Sequence, residues 1–242
     1  MKRILFLIIF ITLQQSGFSQ DVPAVDKIST SSGVVELHFI GHASLMFALM
    51  DFIIYIDPVR TSGSYDKLPK ADLILVTHEH GDHLDKDLIG TLRKDATVML
   101  ASEKAAASVP WAKTIKNGES EVVKGITVQA VPAYNIKNVR APGQPFHPKG
   151  VGNGYVITIG DKKIYVAGDT ENIPEMSLLK NIYVAFLPMN LPYTMTPAMV
   201  KDAALSFKPS ILYPYHMGET YSSEIVDLLK DSGIEVRIRN LK

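Results

Sequence analysis

The sequence predicts a mixed α/β (α+β) fold in which strands predominate and helices are inserted between them. Short runs rich in β-branched and aromatic residues recur along the chain, as is typical of strands. Between them lie segments whose apolar residues have helical spacing. No linker rich in proline, glycine and serine divides the chain, so we expect one domain over residues 21–242.

The predicted strands follow from their residue types. ADLILVTH is a continuous apolar run that ends in polar residues, as expected for a strand buried on both faces. In GYVITIGDKKIYVAGDT, Gly160 and Asp161 are placed at the tip of a hairpin. The other predicted strands are VVELHFI, DFIIYIDP, TVMLAS, two within SEVVKGITVQAVPAY, YVAFLPM, SILYPYH and IEVRIRN.

The predicted helices have recognisable starts. HLDKDLIGTLRK repeats leucine every fourth residue. Ser102 is placed as the cap of a short helix that runs through Ala107. In TPAMVKDAALSF, Thr196 is a good N-terminal cap and Pro197 a good first helical residue. The last predicted helix, SSEIVDLLKDSG, closes on a glycine.

The composition excludes several classes of protein. The 242 residues include 25 basic and 25 acidic ones, and no basic run suggests a nucleic-acid partner. The chain has no cysteine, so it offers neither disulfides nor thiolate metal ligands. Any bound metal must therefore be held by histidine and carboxylate.

The first twenty residues have the order of a secretory signal. A positive start, MKR, precedes the apolar run ILFLIIFITL and the small polar stretch QQSGFSQ. We expect residues 1–20 to be a signal peptide cut after Gln20, which places the mature protein in the periplasm or outside the cell. Membrane contact is then confined to the leader during export. The alternative is an uncleaved N-terminal anchor.

The stretch VTHEHGDHLD places three of the seven histidines within ten residues. His78 and His80 are two apart, so they face the same way in an extended segment. Gly81 allows a sharp turn before Asp82 and His83. Imidazole and carboxylate are the ligands that zinc takes when no thiolate is available. A polar helix start with solvated histidines is the less specific alternative.

Polar residues also follow other predicted strands, namely His42, Asp57, Asp169 and His216. Loops at strand ends are held by a rigid sheet and are where sites are usually built. This placement favours a single site. Taken alone, Asp169 could be an ordinary turn residue and His216 a packed or surface histidine.

The spelling THEHGDH resembles the signature of the metallo-β-lactamase-fold superfamily. GHASLMF, IDP, PAYN, FHPKGVGNGYVI, IYVAGDTENIPEM, LLK and PYHMG resemble, in that order, the branch that includes ascorbate-phosphate lactonase-like proteins. The resemblance spans roughly residues 34–242. It implies a four-layer αββα sandwich with a binuclear metal site at one edge of the two sheets.

The resemblance also implies a ligand set for two Zn²⁺ ions, with one ion, Mn²⁺ or iron as alternatives. It assigns His78 and His80 to the first ion. The residues that it assigns to the second ion or to both are Asp82, His83, His216 and the bridging Asp169.

The chain departs from the family at one expected ligand. Many members place a further histidine of the first site where this chain has PAYN, with Asn135 at its end. Asparagine is a neutral and weaker ligand. His147 is the obvious substitute, and its role as a ligand or as a substrate contact is left open. Without either residue the first site would be weakly occupied.

Three further residues are candidates for roles around the site. Asp57 is expected to accept the N–H of a ligating histidine and fix its tautomer, or else to act in a turn. His42 could line the site or hydrogen-bond its own loop. Tyr193 could reach the pocket, whereas His38 lies within a predicted strand and is expected to be structural.

The implied activity is hydrolysis by a zinc-dependent enzyme. Metal-bound hydroxide would attack an ester, lactone or phosphodiester bond of a small-molecule substrate. Asp82 is expected to orient the hydroxide or take its proton, and His216 or His147 to assist the leaving group. The alternatives are a metal-binding protein without turnover and an iron-dependent redox enzyme of the same fold.

Overall fold

A computed structural model describes residues 25–242, and the expected signal peptide lies outside them. These residues form two seven-stranded sheets and a separate short hairpin. Within residues 25–242, no helix is both long and apolar enough to cross a membrane.

Sheet one is built from the first part of the chain. Its strands lie in chain order and are antiparallel up to the fourth, after which they run parallel. They are β1 (Val25–Thr30), β2 (Gly33–Gly41), β3 (Ser44–Leu49), β4 (Phe52–Ile56), β5 (Leu73–Val76), β6 (Val98–Ala101) and β7 (Lys113–Thr114).

Sheet two comes from the second part of the chain, with an antiparallel half and a parallel half like those of sheet one. The strands of sheet two are β8 (Ser120–Val123), β9 (Ile126–Ala133), β12 (Gly152–Ile159), β13 (Lys162–Val166), β14 (Ile182–Pro188), β15 (Ile211–Tyr215) and β16 (Glu235–Val236). Their spatial order in the sheet is β16-β15-β14-β13-β12-β9-β8. Between β9 and β12, the chain forms the separate hairpin of β10 (Val139–Ala141) and β11 (Gln144–Pro145).

The helices cover the outer faces of the sheets. They are α1 (Lys86–Leu92), α2 (Glu103–Ala107), α3 (Pro197–Phe207) and α4 (Ser223–Leu229), with a 3₁₀ helix at Pro174–Leu178. On sheet one, Met46 and Tyr55 pack with the residues of α1 and α2. On sheet two, Phe207 of α3 packs edge-on against Tyr165, with ring centroids 5.7 Å apart.

Alternation along the strands of sheet one produces these layers. Leu45, Phe47 and Leu49 of β3 face the core shared with sheet two, whereas Met46 faces the helices. Since each face of the sheet buries apolar side chains, helices and sheets stack as four layers. The predicted αββα sandwich is confirmed.

Several predicted elements differ in detail from the structure. The final strand is only Glu235–Val236, although IEVRIRN reads as a longer one, because the chain leaves the sheet and Arg239 pairs with Asp26. Ser102 does precede α2, but its side chain makes no capping hydrogen bond. Thr196 caps α3 as predicted, accepting from the Met199 amide.

Candidate metal centre

The candidate site lies at one edge of the two sheets, where loops leave the carboxyl ends of strands. His42 follows β2, Asp57 follows β4, and His78 directly follows Thr77 at the end of β5. Asp169 and His216 follow β13 and β15 of the other sheet. The carboxyl ends of parallel strands are the usual position of sites in such sheets, because loops from neighbouring strands converge there.

Six of the seven histidines cluster at this edge: His42, His78, His80, His83, His147 and His216. The centroids of neighbouring rings in the cluster are 3.9 to 6.3 Å apart. The shortest distance is between His42 and His216, and the longest is between His42 and His83. The seventh, His38, lies in β2 beside Glu36. Its structural role remains the simplest interpretation.

One group of candidate ligands consists of three histidines. His78, His80 and His147 each offer a ring nitrogen, and these nitrogens lie within 4.8 Å of one another. His78 Nε2 is 3.0 Å from His80 Nδ1. Imidazole nitrogens held this close without an acid between them suit a shared cation.

A second group lies on the other side of the cluster. Asp82 Oδ2 is 3.4 Å from His216 Nε2 and 3.4 Å from His42 Nε2. His83 Nε2 is 3.8 Å from the same Asp82 oxygen. These atoms come from three separate loops, so the fold itself brings them together.

Asp169 lies between the two groups. Its Oδ1 is 3.3 Å from His83 Nε2, and its Oδ2 is 3.3 Å from His147 Nε2 and 3.6 Å from His216 Nε2. The two oxygens therefore face different histidines. This placement suits the bridging role that the sequence resemblance assigns to Asp169.

Four buried atoms at the centre fit a metal site. Among residues 25–242, no hydrogen-bond partner reaches His83 Nε2, His147 Nε2, His216 Nε2 or Asp169 Oδ1. Buried polar atoms without partners are unfavourable unless something else satisfies them. Two atoms that each lie about 2.1 Å from one zinc ion are about 3.0 to 3.4 Å apart at angles of roughly 90° to 110°. The observed separations mostly fall near this range, so the residues fit divalent ions.

The structure distinguishes His147 from Asn135. His147 turns Nε2 towards the centre and donates from Nδ1 to Asn135 Oδ1 at 2.8 Å. Asn135 is thus behind the histidine, and its own side-chain amide donates to the Tyr193 carbonyl oxygen at 2.8 Å. Of these two residues, only His147 directs a side-chain nitrogen towards the centre, and Asn135 orients its ring.

Asp57 has a comparable position behind His83. It is fully buried and accepts from His83 Nδ1 at 2.8 Å. The Thr77 amide and hydroxyl also donate to it, at 2.8 and 2.7 Å, and the Thr77 hydroxyl lies 3.0 Å from His78 Nδ1. Since the Nδ1 atoms are engaged in this way, the Nε2 atoms of both histidines remain available to a metal.

The charges at the centre follow from burial and proximity. Burial, followed by the charge of His83, holds the pKa of His78 well below its usual value. Burial lowers the pKa of His147 to about 4. Both rings are therefore neutral near pH 7, as metal binding requires.

Asp169 and His83 show the opposite balance. Burial tends to raise the pKa of Asp169, but the charges of His216 and His83 hold it well below the usual range. Burial tends to lower the pKa of His83, but Asp169 and Asp57 raise it well above its usual value. In the absence of metal, the two carboxylates therefore favour the protonated form of His83.

Close packing between the sheets fixes the site. Gly168, which precedes Asp169, has φ of +66°, and a side chain there would approach the Asn153 carbonyl oxygen to 2.6 Å. The Asn153 amide donates to the Thr77 carbonyl oxygen at 2.9 Å, and Tyr155 donates to Val76 at 2.7 Å. These bonds join β12 of sheet two to the end of β5 in sheet one.

The sequence did not identify Thr77 or Glu171 as site residues. Glu171 is buried and accepts hydrogen bonds from the amides of Lys137 and Asn138 at 3.0 and 2.6 Å. It thereby holds the loop that carries Asn135. Its position two residues after Asp169, in AGDTE, was the available signal. Thr77 lies within the histidine motif itself.

Two clefts on the surface differ in chemistry. A cleft of about 310 Å³ borders the second group and is lined by His42, Asp82, Thr61 and Ser62, among others. A roomier cleft of about 540 Å³ lies over sheet two, but its lining has no histidine and only Glu175 as a carboxylate. The smaller cleft is the better candidate for substrate access, because it opens onto the histidine cluster.

Comparison with protein families gives a match over most of the chain. The model of the beta-lactamase superfamily domain matches residues 36–216. A UPF0173 metal-dependent hydrolase of Pelotomaculum thermopropionicum is 30% identical over 192 residues, which cover 75% of this chain and 84% of that protein. Another from Thermococcus onnurineus is 32% identical over 196 residues, covering 76% and 84%.

Solved structures agree with this match. The crystal structure of a candidate metal-dependent hydrolase from Parabacteroides distasonis has a TM-score of 0.87 and 45% identity, covering 91% of this chain and 100% of that one. The diiron β-hydroxylase CmlA from Streptomyces venezuelae shares the fold, with a TM-score of 0.66 and 19% identity, over 86% of this chain and 53% of that one. The chain belongs to the metallo-β-lactamase superfamily.

Proposed function

We propose that this protein is a zinc-dependent hydrolase that cleaves an ester, lactone or phosphodiester bond of a small molecule. The observation that supports this proposal is the convergence of four buried, unpartnered ligand atoms from His83, His147, His216 and Asp169. A divalent ion bound there supplies Lewis acidity, which lowers the pKa of water and polarises the scissile group. The related UPF0173 proteins are described as metal-dependent hydrolases.

Asp82 is the residue best placed to handle a proton. Its carboxylate is half exposed beside the 310 Å³ cleft. Burial tends to raise its pKa, but the neighbouring rings of His216 and His42 hold the pKa below the usual range. It therefore remains an acceptor at neutral pH and can orient an attacking water. His216 directs Nε2 to Asp82 and Asp169, which favours metal binding over donation to a leaving group.

The substrate proposal includes an anionic group. Arg140, on β10, lies over the ring of Phe146, with its guanidinium carbon 5.4 Å from the centroid. Phe146 lines a small cavity with His78, His80 and His147. Lys149, by contrast, is engaged by Glu175 at 2.7 Å. Of these two cations, Arg140 is therefore the one available to a phosphate or carboxylate.

The test is hydrolysis by purified, zinc-loaded protein against lactones, aryl esters and bis-aryl phosphates. We expect turnover of at least one class, its loss on chelation and its return with metal. His80→Ala and Asp169→Ala should abolish turnover while the protein stays folded by circular dichroism. Unimpaired hydrolysis by either variant would contradict the proposal. Metal analysis addresses the redox alternative, since tightly bound iron with visible colour would favour it over zinc.

We also propose export of this protein to the periplasm or medium. The support is the order of charges and apolar residues in positions 1–20, which is that of a secretory signal. Fractionation of cells and the mass of the mature N-terminus test this proposal. A chain that begins at Asp21 in the soluble envelope fraction is expected, and an intact N-terminus in the membrane fraction would contradict it.

A further inference from the structure

His42 is held rigidly at the turn between β2 and β3. Its backbone has φ of +50°, a left-handed conformation that non-glycine residues adopt rarely. At the preceding Gly41, a side chain would approach the Ser62 carbonyl oxygen to 2.1 Å, so only glycine fits. The turn is therefore packed tightly against its neighbour, which fixes the position of the His42 backbone.

The hydrogen bonds of His42 determine which nitrogen faces the metal centre. Nδ1 donates to the backbone carbonyl oxygen of Lys242 at 3.1 Å. A ring that donates from Nδ1 presents the Nε2 lone pair to its other side, which is the arrangement of most metal-binding histidines. That Nε2 atom lies 3.4 Å from Asp82 Oδ2.

His42 and His216 are arranged alike around Asp82. The His216 amide donates to the His42 carbonyl oxygen at 3.1 Å, and the two ring centroids are 3.9 Å apart. Each ring places Nε2 at 3.4 Å from the same Asp82 oxygen. Charged N–H···O hydrogen bonds are usually about 2.7 to 2.9 Å long, so neither separation is that of a good ion pair. Both separations suit neighbouring ligands of one ion.

An independent observation points to a cation at this position. His216 is buried, and none of residues 25–242 satisfies its Nε2. The ligand atoms of His42, Asp82 and His216 all lie within 4.8 Å of one another. A cation between them would satisfy the unpartnered nitrogen and neutralise the carboxylate at once.

We propose that His42 is a ligand of the second metal ion, bound through Nε2 together with Asp82 and His216. This inference rests on the proposed metal-dependent function and extends its ligand set to the β2–β3 turn. It adds a ligand from a further loop to the candidate ligands already named for the second ion. The 310 Å³ cleft is lined by His42 and Asp82, so this ion is the one closer to solvent.

The test compares His42→Asn with His38→Asn in the full-length protein. Asparagine tolerates a left-handed backbone, so the first change removes the imidazole without straining the turn. His38→Asn makes the same chemical change within β2, the strand that precedes the His42 turn, and lies away from the cluster. Stepwise titration with Zn²⁺ against a chelating indicator should give two equivalents for the wild type and for His38→Asn. In His42→Asn, we expect an unchanged first equivalent and a second bound about 10- to 100-fold more weakly.

A spectroscopic measurement separates ligation from indirect positioning. In the Co²⁺-substituted protein, each bound histidine that retains an N–H contributes an exchangeable, paramagnetically shifted proton resonance. His42→Asn should lose one such resonance, and His42→Gln provides the same comparison if the asparagine variant does not fold. Unchanged affinity for the second ion would overturn the inference. So would weaker binding with every shifted resonance retained, since His42 would then act only through Asp82.

The two proposals fail in different ways. Loss of the second ion in His42→Asn, without turnover by any loaded form, would reject hydrolysis and keep His42 as a ligand. If the wild type hydrolyses substrate while it binds a single ion, the proposed hydrolase function stands. The second metal site is then rejected, together with His42 as its ligand.

Discussion

Asp57 shows how one buried carboxylate arranges several ligands. It accepts from His83 and from both donors of Thr77, which in turn contacts His78. Asp57→Asn should keep the shape and the left-handed backbone at φ of +45°, but its amide group would face a donor. We expect metal affinity to fall about 10- to 100-fold, measured by competition with a chelator. The exposed Asp66→Asn serves as control, and equal affinities for the two variants would contradict this role.

His83 should make metal binding dependent on pH. Its pKa is raised well above the usual value despite burial, because Asp169 and Asp57 stabilise the charged ring. A ligand must lose that proton, so binding should release it, and affinity should increase as pH rises towards the raised pKa. Calorimetry in buffers of different ionisation enthalpy measures the release. An observed enthalpy that does not depend on the buffer would show that no proton leaves.

The candidate ligands that the sequence indicates and the contacts that it does not indicate differ in how local their signal is. His78, His80, Asp82 and His83 lie within one motif, so the local sequence is enough to indicate them as candidates. The choice between Asn135 and His147 depended on distant contacts. The side-chain amide of Asn135 donates to Glu171 and to the Tyr193 carbonyl oxygen, which lie 36 and 58 positions further along the chain. No periodicity or motif in the sequence encodes such a distance.

Strands were predicted best where both faces are buried. LILV in β5 is apolar throughout, and all of its residues are buried. By contrast, β1 was not predicted, because VDKIST buries only Ile28 and shows no clear alternation. The hairpin of β10 and β11 was missed for a similar reason. Its residues are mostly exposed, and its pairing depends on the loop that Glu171 holds.

The loop between β9 and β10 should depend on Glu171. This carboxylate accepts from the amides of Lys137 and Asn138, and an amide in its place offers fewer acceptors. Glu171→Gln should destabilise the protein by about 1–3 kcal/mol, as loss of a buried charged acceptor does. It should also weaken the ion near His147 and speed hydrogen exchange at Asn138.

Glu175→Gln is the matched control for that change. Glu175 accepts from Lys149 and from the Tyr134 hydroxyl, whereas the amides of Lys137 and Asn138 donate to Glu171. The two variants should therefore differ in hydrogen exchange of residues 135–147. Equal exchange in both would show that Glu171 does not hold the loop.

At the scale of the whole molecule, the site joins the two sheets. His78 and His83 come from the end of β5 in sheet one, whereas Asp169 and His216 come from sheet two. At this edge the sheets are also joined by hydrogen bonds, such as the one that the Tyr155 hydroxyl donates to the Val76 carbonyl oxygen at 2.7 Å. The packing of two sheets against each other was predictable from the resemblance. The alignment of the two sheet edges that carry the candidate ligands arises only when the sheets pack.

Because its ligands come from both sheets, a bound ion should act as a cross-link. Metal that binds only the native state adds about 2.7 kcal/mol at a concentration 100 times Kd. For a chain of this size that corresponds to a rise of about 5–10 °C in Tm. Calorimetry of the chelated and zinc-loaded protein measures the shift, and His38→Asn should reproduce it. Asp169→Asn should lose most of it, because one of the two buried oxygens that face both ligand groups becomes an NH₂ group and the negative charge is lost. A full shift in Asp169→Asn would mean that zinc stabilises the protein from some other position.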